Sequence, residues 1–169
     1  MTNKALFKVL KYLFISLVIS TVVISMFGAM GVIYFSRGLP SLISNEDYRP
    51  FTVTKIVGKG DVVVGEYFEE RRYVIALEKI PDLVQRAFIS AEDDRFFDHQ
   101  GIDLQGILRA AIANAKAGRV VQGGSTITQQ VAKSLLLTPE RSFVRKIKEV
   151  ILANRMEKNL GKKQILFLY

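Results

Sequence analysis

Ten consecutive residues carry the densest polar chemistry in the chain: Glu92-Asp93-Asp94-Arg95-Phe96-Phe97-Asp98-His99-Gln100-Gly101. Four acids and the only histidine fall within eight positions, beside two phenylalanines. A carboxylate at a helix end next to aromatic rings suits a general acid or base. A solvated acidic loop anchored by Phe96 and Phe97 accounts for the same composition, and composition alone favours that plainer reading. His99 by itself reads as a structural hydrogen-bonding residue before it reads as a catalyst. A second cluster is Gln122-Gly123-Gly124-Ser125-Thr126-Ile127-Thr128-Gln129-Gln130. Glycines let backbone approach a ligand closely, and a helix N-terminus offers free N–H groups to an anion. An ordinary capped helix start explains it equally. It is not a P-loop, because no Gly-Lys-Ser/Thr follows at the required spacing. The third cluster is Arg141, Arg145, Lys146, Lys148 and Glu149, with Lys133 eight residues before Arg141. On a helix, 145, 148 and 149 share a face and 141 extends it. Several cations around one carboxylate fit a diphosphate held beside a catalytic acid. A solvated basic face with an Arg145–Glu149 surface pair fits as well.

Composition narrows the remaining chemistry. The chain has 169 residues and no cysteine, which excludes a disulfide scaffold, thiolate metal sites and a thiol nucleophile. One histidine excludes a multi-histidine metal site, and a Ser-His-Asp triad would have to use His99. The net charge is +8, unevenly spread. Lys4, Lys8 and Lys11 open the chain without an acid, residues 36–115 are net acidic, and residues 116–169 hold 11 basic side chains against 3 acidic. Such a basic stretch fits nucleic acid, a membrane surface or a phosphorylated substrate.

The elements around these clusters decide among the three. Tyr12 to Ser36 contains no charged residue over 25 positions. As a helix at ~1.5 Å per residue it crosses a ~30 Å hydrocarbon core with some tilt. It is too long for the apolar region of a cleaved signal peptide, and Gly28-Ala29-Met30-Gly31 is a poor cleavage site. The expectation is an uncleaved signal anchor at 12–36 behind a cytoplasmic tail at 1–11. The three lysines before the run, with Arg37 alone just after it, set the N-terminus inside. The rest then lies outside the inner face, which argues against nucleic acid as a partner. Residues 37–80 read as a linker and a β-rich connector. Phe51–Val57 and Asp61–Tyr67 around Gly58-Lys59-Gly60 give a hairpin signal, and Arg72–Leu77 is a candidate third strand.

From Pro81 the pattern becomes helical. Pro81 suits a first helical position, and Leu83, Val84, Ala87 and Phe88 recur at helical spacing towards Glu92. Asp103 can cap a helix from Leu104 to Ala117, ended by Gly118. Thr126-x-x-Gln129 has capping-box spacing for a helix to about Leu137. Ser142 can cap a helix of about 17 residues ending at Gly161, with an apolar stripe of Phe143, Ile147, Val150 and Ile151. A last helix begins at Lys162. The extracytoplasmic part is mainly α.

Taken together, the clusters resemble a known family. Glu92-Asp93-x-x-Phe96-x-x-His99-x-Gly101, then Gly123-Gly124-Ser125-Thr126-Ile127-Thr128-Gln129-Gln130, then Arg145-Lys146-x-x-Glu149 match the peptidoglycan glycosyltransferase domain in order and spacing. This is glycosyltransferase family 51, found in class A penicillin-binding proteins and in monofunctional peptidoglycan polymerases. Lys162-x-x-Ile165-Leu166-x-x-Tyr169 looks like the start of the family's next motif. The resemblance covers about Asp61 to Tyr169, and an N-terminal signal anchor is also a family feature.

The resemblance implies a lysozyme-like, mainly α domain at 81–169 that polymerises lipid II outside the bacterial cytoplasmic membrane. By motif, Glu92 corresponds to the general base that takes the proton from the acceptor sugar's 4-hydroxyl. Glu149 corresponds to the second carboxylate, which assists the leaving group or orients the site. Lys133, Arg141, Arg145, Lys146 and Lys148 fall where the family binds diphosphate, and Ser125, Thr126, Gln129 and Gln130 match the donor-side motif. Asp93, Phe96, His99, Gly101, Gly123 and Gly124 shape the loops. The implied partners are lipid II, the growing glycan strand, the bilayer and other cell-wall synthesis proteins. No cofactor is required; some relatives use a divalent cation, Mg or Mn, for which the sequence offers no dedicated site. Phe167 and Gln164 stand where relatives often carry acids, and the chain stops inside a motif that usually continues. The expectation is therefore a C-terminally truncated domain whose own activity is open. Two other readings stay in view: a non-catalytic anchor or scaffold binding lipid II or cell-wall partners, and a lysozyme-type lytic enzyme, against which the cation set argues.

Overall fold

A computed structural model of the chain describes residues 3–42, 48, 50–140 and 142–169. Two compact units divide the chain, Met1–Leu39 and Pro40–Tyr169. The first is one helix, α1 (Asn3–Ser36). Within Phe7–Ser36 an 18-residue segment has a mean hydropathy of 2.3 and is not buried by protein, as suits a helix whose solvent is hydrocarbon. Two of its hydroxyls are satisfied within the helix. Ser20 Oγ donates to the Ser16 carbonyl at 2.5 Å and Thr21 Oγ1 to that of Leu17 at 2.8 Å, which removes the cost of bare polar groups in an apolar medium.

The second unit opens with an antiparallel hairpin, β1 (Thr54–Val57) and β2 (Val63–Tyr67). Thr54 faces Tyr67, and the register slips between Ile56 and Val57, where β2 has one extra residue. The turn places Gly60 at φ +83° and Asp61 at +57°. The strands are shorter than the sequence suggests, and the expected third strand at Arg72–Leu77 does not form. Side chains meet β2 there instead: Arg71 Nη2, just before the segment, lies 2.8 Å from Glu66, and Tyr73 Oη within it donates to Glu66 at 3.2 Å. Leu77 then turns inward in a single 3₁₀ turn (Leu77–Lys79) and is buried. Gln85 Nε2 holds that turn by donating to the carbonyls of Leu77 and Ile80, at 3.1 and 2.8 Å.

Five helices follow: α2 (Asp82–Glu92), α3 (Leu104–Ala117), α4 (Ile127–Leu136), α5 (Phe143–Asn159) and α6 (Lys162–Leu168). Their ends are set by local chemistry. Asp103 caps α3 by accepting from Gln105 N–H at 3.1 Å, and Gly118 ends it at φ +64°. Thr126 and Gln129 form a full capping box on α4, and Ser142 accepts from Arg145 N–H at 3.0 Å to start α5. Pro81 sits one position before α2 rather than in it, its carbonyl accepting from Val84 and Gln85.

The core is the meeting of α4, α5 and α6. Ile127, Val131, Ala132, Leu152, Ala153, Met156, Ile165 and Leu168 fill it, with Phe96 fully enclosed. Two apolar stripes expected from the sequence are not core. On α2, Leu83, Val84 and Phe88 are exposed and only Ile89 is buried. On α5, Phe143 is exposed and Ile147, Val150 and Ile151 are half-buried. The buried face of α5 is Glu149, Leu152, Ala153 and Met156. That face follows the i, i+3, i+4, i+7 rule, but it contains a carboxylate, so counting apolar residues picks the neighbouring face.

Candidate active site

Helix α2 ends at Glu92 because Asp93 leaves the helical region, at φ −159° and ψ 72°. Asp93 turns inward and is buried. Its Oδ2 accepts the Ile127 N–H at the start of α4, at 2.9 Å, and both its oxygens lie 3.0 Å from His99 Nε2. His99 Nδ1 accepts from the Gly101 N–H at 3.2 Å. The ring therefore carries its proton on Nε2 and donates it to Asp93, a tautomer assigned by its partners. A buried carboxylate that accepts from a helix N-terminus is favourably placed.

The rest of the loop is bolted to the core. Phe96 lies edge-on to His99. Lys162 Nζ sits 4.5 Å over the Phe96 ring and donates to the His99 carbonyl at 2.6 Å and to Glu157 at 2.8 Å. Thr128 Oγ1 also donates to Glu157, at 2.6 Å. Gly101 has φ +87°, and a Cβ there would meet the Ala153 carbonyl oxygen at 2.9 Å. Thr126 Oγ1 donates to the Gly101 carbonyl at 2.8 Å while accepting from Gln129 N–H at 3.2 Å. One hydroxyl thus caps α4 and ties it to the loop.

This framework leaves an open cleft of about 410 Å³ between the end of α2, α3 and the Gly-Gly-Ser-Thr turn. Glu92, Gly123, Gly124, Ser125, Thr126 and Gln130 line it. Glu92 is exposed, and its Oε2 accepts from Gln130 Nε2 at 2.8 Å. Behind Ser125 lies the charge cluster of α5. Lys146 Nζ donates to Ser125 Oγ at 2.9 Å and to Glu149 Oε2 at 2.8 Å. Glu149 is only 3% exposed, so its carboxylate is enclosed even though its Lys146 partner reaches solvent. Arg145 Nε stands 3.4 Å from Glu149 Oε1, and both atoms are buried without a hydrogen bond.

The sequence-derived candidates divide accordingly. Glu92, Asp93, Gly123, Gly124, Ser125, Thr126 and Gln130 meet at the cleft, and Lys146, Glu149 and Arg145 form a chain behind it. Phe96, His99, Gly101 and Gln129 are framework. Lys133 is exposed on the last turn of α4, and Lys148 is half-buried on α5. Neither forms an ion pair among the described residues. Arg141 lies outside the described residues.

Sequence reasoning missed one cleft feature. Arg109 of α3 makes a two-pronged contact with Asp94, at 3.1 and 2.9 Å, and both line the cleft. The Arg109 hydrogen bonds hold the Asp94 carboxyl below the usual aspartate range, and Asp94 holds Arg109 above its ordinary value. Asp103 likewise serves twice, capping α3 and accepting from Arg95 at 3.1 Å. Burial, and then the charge of Glu92, pushes the Tyr169 phenol up.

The class defined here is a chain with one span-length apolar helix and a mainly helical unit, whose cleft carries an exposed carboxylate backed by a buried carboxylate–cation cluster. The chain belongs to the Transglycosylase family, whose profile matches residues 60–169. That match takes in α2 to α6 and every candidate side chain. Among its relatives is penicillin-binding protein 1A of Neisseria flavescens, 44% identical over 141 residues, which cover 83% of this chain and 18% of the relative. The Rickettsia bellii protein of the same name is 46% identical over 141 residues, covering 82% and 18%. That of Aquifex aeolicus is 44% identical over 133 residues, covering 79% and 18%. The chain therefore spans about a fifth of the length of these relatives.

Proposed function

We propose that this chain carries the lipid II-polymerising chemistry of a peptidoglycan glycosyltransferase, held at the outer face of the bacterial cytoplasmic membrane by α1. The observation that supports this most directly is the pairing of an exposed carboxylate in the cleft, Glu92, with a lysine–carboxylate cluster reaching the same wall through Ser125. A sugar hydroxyl is a poor nucleophile and needs a positioned base. Glu92 takes the proton from the acceptor's 4-hydroxyl as that oxygen attacks C1 of the donor sugar. The C1–O bond to undecaprenyl diphosphate breaks, and inversion gives a β-1,4 link. The departing diphosphate gains negative charge, which Lys146 and Arg145 stabilise while Glu149 keeps them in place. The outward Leu104, Leu108 and Ile112 of α3 suit contact with the polyprenyl-bearing lipid surface.

The reaction so drawn requires no resident cation. The buried or bridged acids at the cleft already have partners: Asp93 has His99, Asp94 has Arg109 and Asp103 has Arg95. Polymerisation is expected to survive removal of divalent ions by a chelator. Arrest that added Mg or Mn reverses would overturn that part of the reading.

The deciding experiment is polymerisation of labelled lipid II in detergent by this chain, by a version extended past Tyr169, and by Glu92→Gln. Glycan from the 169-residue chain, lost in Glu92→Gln, supports a self-sufficient polymerase. Glycan from the extended form alone supports the chemistry but locates it in a longer protein. No glycan from either, with lipid II still bound, favours a scaffold.

A further inference from the structure

Gln129 and Gln130 stand side by side in one motif, yet their side chains do different work. Gln129 is buried and spent on the capping box, its Oε1 accepting from the Thr126 N–H at 3.2 Å. Gln130 points the other way, into the cleft, and donates from Nε2 to Glu92 Oε2 at 2.8 Å. The amide orientation follows from the partner, since a carboxylate only accepts. Gln130 is the only side chain among the described residues that hydrogen-bonds Glu92.

Glu92 needs such a hold. It ends α2, where the helix dipole is unfavourable to a carboxylate, and its side chain is exposed. Its backbone is fixed by the next residue, because Asp93 binds the first N–H of α4. Its side-chain torsions are not fixed by packing. Gln130, one turn into the same helix α4, supplies the missing constraint. Gln130 N–H donates to the Thr126 carbonyl at 3.0 Å, so the amide is carried on the capped turn. One carboxylate oxygen is held, and Oε1 has no hydrogen bond among the described residues.

We infer that Gln130 is a positioning residue for Glu92, aiming its free oxygen at the hydroxyl to be deprotonated, rather than a group that binds the donor. The inference rests on the polymerase reading above. It is tested in the anchored protein at its full natural length by lipid II polymerisation with Gln130→Met, which keeps the length and removes the donor, and Gln130→Asn, which keeps the amide and shortens its reach. Loss of aim at a general base is expected to lower kcat roughly 10- to 100-fold with KM unchanged. Combining Gln130→Met with Glu92→Gln should cost no more than Glu92→Gln alone, because both remove one function. Thermal melting separates a folding defect, and Gln130→Asn then carries the test. A rise in KM at constant kcat, an unchanged kcat, or full additivity with Glu92→Gln would each overturn the inference while leaving the polymerase reading intact. Absence of glycan from the unsubstituted protein would overturn both.

Discussion

Glu92 and Glu149 are both glutamates in short motifs, yet their surroundings suit them to different tasks. Glu92 is exposed with one hydrogen bond, whereas Glu149 is enclosed beside Lys146 and Arg145. Truncating a buried charge partner strands what remains. Because the Lys146 side chain is 43% exposed, the penalty is moderated by water. Glu149→Ala is expected to destabilise the protein by about 1–3 kcal/mol, and Glu149→Gln by less. Urea denaturation of both variants would check this, and an unchanged midpoint for Glu149→Ala would refute the buried-pair account. Asp94 allows a pH test. Its native carboxyl lies below the ordinary range because Arg109 donates to it. That stabilisation is complete above the ordinary aspartate range and is lost as pH falls through the lowered native value. It is small, since both groups are about half exposed. NMR titration should find the Asp94 midpoint low, and higher in Arg109→Gln. The sequence exposed these roles unequally. Glu92 was legible as the last residue of a helix opening on Pro81. Glu149's burial was not, because an i, i+4 charge pair reads the same on a surface or in a core. Asp94 and Arg109 lie 15 residues apart, and only the tertiary fold brings them together.

Local chemistry made the elements legible wherever it alone decides the outcome. The Asp103, Thr126 and Ser142 caps and the Gly118 stop all fall where the sequence puts them. It misled where partners decide: the segment after Arg71 gives its side chains to β2 instead of pairing its backbone, and α5 turns a face containing Glu149 inward. The motif glycines make the same point. Gly101 combines φ +87° with backbone of α5 at 2.9 Å, so it has neither the space nor the conformation for a side chain. Gly124 packs on Ile107, with a Cβ position 3.3 Å from its Cα, while a Cβ on Gly123 meets nothing within 4 Å. Gly101→Ala should therefore cost roughly 1–3 kcal/mol and loosen the loop that follows Glu92. Gly123→Ala should leave stability nearly unchanged, and Gly124→Ala should fall between. Melting temperatures for the three variants would establish the order. A Gly123→Ala loss equal to that of Gly101→Ala would show that the motif constrains backbone in a way the packing does not reveal.

For the whole molecule, the distribution of charge matters more than its total. Lys4, Lys8 and Lys11 lie at the start of α1, ahead of its uncharged run 12–36, and Arg37 stands directly after that run. A helix spanning Phe7–Ser36 at ~1.5 Å per residue exceeds a ~30 Å hydrocarbon core, so length does not limit its insertion. Flanking cations resist transfer across a membrane, so the lysine-bearing end is expected to stay in the cytoplasm. The Transglycosylase unit is then expected outside the cytoplasm. Alkaline phosphatase fused after Tyr169, which folds to an active enzyme only outside the cytoplasm, should be active in cells expressing the chain. Replacing Lys4, Lys8 and Lys11 together by glutamine leaves Arg37 as the nearest cation and should lower that activity at equal expression, as part of the population inserts the other way. Activity that is absent from the parent fusion, or indifferent to the three lysines, would mean that the flanking charges do not set the orientation.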